Sequence, residues 1–90
     1  MYLEGILGSK TKVNILAVLI QNPDNEFIES ELAKLAGVSV SEVNRQIDDL
    51  VVVGLVSLVR VGRSKVYRVN LEHFLFEPLR LLFRSLGEVY

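Results

Sequence analysis

Residues 30–69, SELAKLAGVSVSEVNRQIDDLVVVGLVSLVRVGRSKVYRV, decide how the remainder of the chain is read. Two short helical patterns separated by a tight turn lead into two β-branched runs separated by a basic turn. That order is a helix-turn-helix followed by a two-stranded wing, in which the second helix offers side chains to a groove and the first braces it. The expected fold class is α+β, mostly helical: a winged helix-turn-helix with a two-stranded wing and a C-terminal dimerisation helix. One domain is expected over residues 1–90, with the helix-turn-helix at about 30–53, the wing at about 55–69 and the last helix at about 71–86.

Local chemistry sets these boundaries. Ser30 is placed to cap a helix of about eight residues with Leu32, Ala33, Leu35 and Ala36 inward. Small Ala33 and Ala36 let the next helix cross closely, and Gly37 supplies the left-handed C-cap that a sharp turn needs. Ser39-Val-Ser-Glu42 matches the capping box S-x-x-E, which gives Glu42 a structural role at the start of the second helix. That helix should bury Val43, Ile47, Leu50 and Val51 and end at Gly54. Leu55–Val61 and Lys65–Val69 then form a hairpin about the turn Gly62-Arg63-Ser64, with Tyr67 and Val69 toward the core and Val66 and Arg68 outward.

Before this unit, Ser9 is a good N-cap for a helix running to Gln21 or Asn22, where Pro23 stops it. Val13, Leu16, Leu19 and Ile20 mark its expected buried face, and Lys10 and Lys12 in its first turn are either solvated or facing phosphate. Asn22-Pro23-Asp24-Asn25 is a turn, and Glu26-Phe27-Ile28 reads as a short strand that could pair with the ribbon. After the unit, Asn70 is placed to cap a helix whose apolar face carries Leu71, Phe74, Leu75, Leu79, Leu82, Phe83 and Leu86. Pro78 either kinks that helix or is the first-turn proline of one starting near Phe76.

Half of the 90 residues are hydrophobic, yet no apolar run is long enough to span a bilayer, so no membrane partner is expected. So much apolar surface on a short chain argues for a covered face, and a homodimer covers it with one patch used twice. The interface candidates are Leu3, Leu75, Leu79, Leu82, Phe83 and Leu86. There is no cysteine, which excludes disulfides, thiolate metal sites and Cys nucleophiles. The single histidine, His73, is read as a surface or interface residue and not as a ligand, so no metal and no cofactor are expected. The first eight residues, MYLEGILG, lack a signal-peptide pattern, which makes a cytoplasmic location the expectation.

The net charge is −1, but its distribution is uneven. Residues 39–69 hold five basic side chains (Arg45, Arg60, Arg63, Lys65, Arg68) against three acidic ones, while residues 1–38 hold three against five. Positive charge is therefore concentrated where a DNA-facing surface needs it. On the second helix, Ser41, Asn44, Arg45 and Asp48, with Val40 and Gln46 at the margin, are expected outward and are types that suit base edges: Arg pairs with guanine, Asn or Gln with adenine, and a Val methyl meets thymine. Arg60, Arg63 and Lys65 at the wing suit phosphates or the minor groove. Enzymatic chemistry finds no support, since there is no Gly-rich phosphate loop, no Ser/His/Asp set and no acid/base carboxylate pair; Asp48 and Asp49 are adjacent on a helix and diverge by about 100°.

The string from Glu31 to Val56 followed by RVGRSKVYRVN resembles the winged-helix transcriptional regulators of the ArsR-like and MarR-like groups. The features that carry this are the LA…G-V-S turn, the S-E-V-x-R helix, the L-x-x-x-G-L-V exit and the G-R-x-x-x-Y wing. The resemblance spans about Ser9 to Asn70 and is specific for fold more than for any one regulator. It implies a dimer paired through terminal helices, double-stranded DNA as partner, and recognition helices in successive major grooves. By the match, Ser39, Ser41, Asn44, Arg45 and Gln46 fall at DNA-reading positions, and Arg63 and Lys65 at wing positions. Metal-sensing members carry cysteines or clustered histidines and acids, and this chain has neither set, which leaves any effector open.

The reading from sequence is thus a homodimeric, sequence-specific DNA-binding regulator. Its rival is a winged helix used as a protein-interaction module, favoured by the charge balance and the apolar excess. A pocket for a small effector lined by Phe74, Phe76 and Phe83 is a further possibility that adds to the first reading.

Overall fold

The computed structural model describes residues 7–87. In chain order it contains α1 (Lys10–Gln21), β1 (Phe27–Ile28), α2 (Glu29–Ala36), α3 (Val40–Val52), β2 (Val56–Val61), β3 (Ser64–Val69) and α4 (Phe76–Gly87). The three strands form one antiparallel sheet in the order β1-β3-β2.

Ser9 caps α1 from an extended backbone, its Oγ accepting from Lys12 N–H at 3.0 Å. The buried residues are Lys12, Ile15, Leu16, Leu19 and Ile20, a spacing of 0, 3, 4, 7, 8 that defines one helical face. This corrects the expected stripe. Val13 is only half-buried at its edge, while Lys12, expected in solvent or on phosphate, lies on the stripe itself.

α2 begins one residue earlier than its apparent cap. Ile28 holds the N-cap position, Ser30 lies inside the first turn, and Glu31 reaches back so that its carboxylate accepts from the Ile28 N–H at 3.0 Å. Ser30 is not needed because Ile28 ends β1, whose pairing with β3 already sets the extended backbone from which the helix departs. Leu32 and Ala33 are buried, but Leu35, expected inward, is 58% exposed. Gly37 takes φ +72° as the left-handed C-cap, and Val38 N–H returns to Ala33 O at 3.0 Å, turning the chain into α3. The face of α3 that packs inward carries Val43, Ile47 and Leu50, with Val51 half-buried beside them.

Val61 pairs with Ser64, so the wing turn is the two-residue Gly62-Arg63, and Ser64, expected in the turn, already belongs to β3. Gly62 has φ +62° and no non-glycine residue has positive φ among the described residues. A glycine at the first of two loop positions is the II′ pattern that matches strand twist. Tyr67 and Val69 are buried as expected, whereas Val66 and Arg68 are half-buried. The strand read at residues 26–28 does form: Phe27 pairs with Tyr67 and Ile28 with Val66.

The last helix starts at Phe76, the second of the two expected alternatives, and not directly after Asn70. Asn70 caps a turn instead, its Oδ1 accepting from Glu72 N–H at 3.1 Å while its Nδ2 donates to Gly54 O at 2.9 Å. Residues 71–75 are turns, and Pro78 sits in the first turn of α4, where a missing N–H costs nothing. His73 is half-buried and hydrogen-bonded within the chain. Its Nδ1 accepts from Leu75 N–H at 3.1 Å, which assigns the ring proton to Nε2, placed 2.9 Å from Val53 O. Together Asn70 and His73 fasten the end of β3 to the carbonyls at the end of α3. Leu79 and Phe83 then complete the core formed by α1, α3 and the sheet. Burying an aliphatic or aromatic side chain of this size contributes about 1.5–3 kcal/mol each.

Candidate nucleic-acid interface

α3 presents its N-terminal polar face to solvent because Val43, Ile47 and Leu50 commit the opposite face to the core. Ser39 adopts an extended backbone, and its Oγ accepts from Glu42 N–H at 3.1 Å while lying 3.1 Å from Ser41 Oγ. The second half of the expected capping box does not form. The Glu42 carboxylate pairs instead with the Arg45 guanidinium one turn along, through Nη2. Ser39, Ser41, Asn44 and Arg45 are all exposed, Arg45 with 68% of its side chain accessible.

Gln46 is different. It is half-buried, and its Oε1 lies 3.5 Å from the Ser9 hydroxyl at the start of α1. One turn further along both helices, Lys12 Nζ meets Asp49 Oδ2 at 2.6 Å. These two contacts hold α1 against the flank of α3 and fix the angle at which the exposed face is presented. The helical spacing of Lys12 with Ile15, Leu16 and Leu19 was the signal in the sequence that this lysine faces inward.

The register of the wing places its cations. Arg60 lies directly opposite Lys65, and by strand alternation both share the ribbon face of Leu58 and Tyr67, the face turned toward the helices. Arg63 sits in the turn itself, and all three lack a carboxylate partner among the described residues. Two like charges opposed across a ladder are destabilising unless an anion joins them. Tyr67, below them, has its hydroxyl directed at Glu29 Oε1 (3.4 Å), and burial first, then the Glu29 and Asp48 carboxylates, push its pKa up to about 12. It is therefore an uncharged core residue at neutral pH.

The outward face of the wing carries Val59, 52% exposed, and Val61, 60% exposed, beside Ser57, Ser64 and Arg68. On α4, Leu82 and Leu86 are 44% and 40% exposed, whereas Leu79 and Phe83 are buried in the core of the chain and Leu75 is half-buried. Leu3 lies outside the described residues. Open grooves of about 370 and 500 Å³ run beside α4, the first toward Pro23, Arg80 and Arg84 and the second toward Val13, Ala17 and Leu86. Phe83 lines both, without Phe74 or Phe76. Among the described residues no group of three or more acidic or histidine side chains could hold a metal ion, and no helix is long and apolar enough to cross a membrane.

No protein-family model matches the sequence, and no curated protein is significantly similar to it. Similar solved structures do exist. The antimony-specific transcriptional repressor AntR superposes with a TM-score of 0.75 at 20% identity, over 92% of this chain and 71% of that one. Sso10a-2, a DNA-binding protein from Sulfolobus solfataricus, gives 0.64 at 18% identity over 84% and 80%. A MarR family transcriptional regulator from Silicibacter pomeroyi DSS-3 gives 0.60 at 27% identity, over 90% of this chain and 53% of that one. With helices, turn and three-stranded sheet arranged as described above, the chain has the winged helix-turn-helix fold of the ArsR-like and MarR-like transcriptional regulators.

Proposed function

We propose that the protein is a transcriptional regulator that binds double-stranded DNA as a homodimer, with α3 in the major groove and the wing on phosphates or in the minor groove. The observation that carries this reading is that one winged helix-turn-helix exposes two sets of side chains of DNA-contacting type. The exposed N-terminal face of α3 bears Ser39, Ser41, Asn44 and Arg45, and the Arg60–Lys65 pair lies on the ribbon face turned toward the same helices. Arg45 and Asn44 supply base-edge chemistry, and Arg60, Arg63 and Lys65 supply phosphate chemistry. Gln46, turned toward Ser9, acts on the DNA through the placement of α3. The fold neighbours are described as a transcriptional repressor, a DNA-binding protein and a transcriptional regulator, which supports the same reading. None of this calls for a catalytic centre.

Pairing of two copies rests on the exposed apolar face of α4, where Leu82 and Leu86 stand one turn apart. Two recognition helices about 34–36 Å apart then meet a palindromic site, as dimeric helix-turn-helix proteins do. Selection of bound sequences from random duplex DNA, repeated at two salt concentrations, tests the reading. The expected result is a palindrome with half-sites about ten base pairs apart. A log K against log salt slope of about −5 to −7 corresponds to three or four phosphates per protomer. Arg45→Ala and Arg63→Ala should each weaken binding.

A second reading, a protein-interaction module, is favoured by the exposed Val59 and Val61 on the outward side of the wing and by the net charge of −1. Absence of any enriched sequence, with no salt-sensitive duplex binding, would move the assignment there.

A further inference from the structure

The ion pair on the exposed face of α3 has a consequence for how DNA is read. In a helix-turn-helix the first turn of the recognition helix approaches the base edges most closely. An acidic side chain there opposes phosphate binding, because the helix N-terminus otherwise attracts anions. The expected reason for Glu42, a reciprocal capping box, is not realised: Ser39 caps alone, and the Glu42 carboxylate is bonded to Arg45. Glu42 is one-third exposed and Arg45 two-thirds exposed on their side chains, so the pair stands at the surface with the arginine outermost.

We infer that Glu42 is a specificity-determining residue, which holds the Arg45 guanidinium toward the major-groove edge of a guanine and keeps it from the phosphates. The inference rests on the DNA-reading function proposed above. Its chemistry is that of a buttressed arginine. The contact to Glu42 runs through Nη2, and a guanidinium has five N–H donors in a fixed plane, so donors remain for guanine O6 and N7. An arginine held this way has fewer orientations to lose on meeting a base. A guanidinium already neutralised by a carboxylate gains less from a phosphate than a free one does. Glu42 thus lowers affinity for arbitrary duplex and raises discrimination for a duplex with guanine at the facing position.

The alternative is that the pair only supports the helix, since i,i+3 pairs of this kind stabilise exposed helices modestly. Glu42→Gln separates the two, with Arg45→Ala beside it as comparator. Each protein is put through sequence selection on random duplex DNA. Its affinity for the enriched duplex and for a scrambled duplex is then measured over a salt series, with thermal unfolding as the control for folding. Glu42→Gln should unfold near the wild-type temperature and bind scrambled duplex several-fold more tightly. Its preference for guanine at one position per half-site should fall by about tenfold, the low end of what a bidentate arginine contact confers. Its salt slope should steepen by about two for the dimer as the freed arginines meet phosphates. Arg45→Ala should lose the same guanine preference without the gain in scrambled binding.

If Glu42→Gln enriches the wild-type site with unchanged discrimination and slope, the pair is structural and this inference is overturned alone. If the wild-type protein enriches no sequence, the DNA-reading function fails and the inference fails with it.

Discussion

Lys12 and Asp49 form the closest charged link between α1 and α3, the second helix of the helix-turn-helix, with Nζ 2.6 Å from Oδ2. Only 9% of the Lys12 side chain is accessible, against 55% for Asp49. The lysine stem lies among Ile15, Leu16 and Leu19 while its ammonium emerges beside the carboxylate, so packing and charge are served by one side chain.

The two partners should therefore respond differently to mutation. Asp49→Asn leaves a nearly buried ammonium without its counter-charge, and should cost about 1–2 kcal/mol in urea unfolding. That lies below the cost of breaking a fully buried pair because Asp49 is half in solvent. Lys12→Met removes the charge and keeps the stem, and should change stability by less than about 1 kcal/mol. Equal losses in both variants would show that the ion pair contributes nothing beyond the packing of the stem.

On the wing, Arg60 faces Lys65 across the β2–β3 ladder, a repulsive arrangement in the free protein. Arg60→Thr should stabilise the unliganded protein by about 0.2–1 kcal/mol, the usual size of a cross-strand pair effect. The same change should weaken duplex binding and flatten the salt slope by about two for a dimer. A destabilised variant with unaltered salt dependence would remove Arg60 from the interface.

The proposed dimerisation through α4 can be tested apart from folding by choosing residues on its outer side. Leu82→Glu with Leu86→Glu should give a folded monomer by light scattering, because both side chains are partly exposed in the protomer. Leu79→Glu buries a carboxylate in the core and should unfold the chain. A double variant that stays dimeric would place the interface elsewhere.

Alkaline stability should depend on Tyr67, whose pKa is raised to about 12, foremost by burial. The unfolded phenol titrates near 10, so between these values the folded state keeps a proton that the unfolded chain releases. Stability from this source is complete below about pH 10 and is lost as pH rises toward about 12. Tyr67→Phe has no such proton and should lose less stability than wild type between about pH 8 and pH 11 in paired urea titrations. Parallel losses in the two proteins would assign the alkaline transition to other groups.

The sequence by itself determined the punctuation of this fold. Ser9, Gly37, Ser39 and Gly62 act through their own side chain or their own φ, within three residues of where they stand, so their effects are written locally. Amphipathic spacing placed Val43, Ile47 and Leu50 inward, and alternation placed Tyr67 and Val69. The cations of the wing and the polar face of α3 were visible for the same reason, since exposure follows from what the opposite face must bury.

What tertiary structure decided depends on contacts between distant segments. The carboxylate that pairs with Lys12 is 37 positions away, so nothing local to the first turn of α1 reveals the pairing. α4 begins at Phe76, not at Asn70, because Asn70 and His73 satisfy Gly54 and Val53 carbonyls exposed where α3 ends. Glu42 has two acceptable local partners, the Ser39 amide and Arg45, with nothing in the sequence to rank them. Leu79 and Phe83 share an apolar stripe with Leu82 and Leu86, and only the packing of α4 on α1 divides that stripe into core and exposed surface. Periodicity marks a face as apolar, but the area of the neighbouring element decides how much of that face is covered.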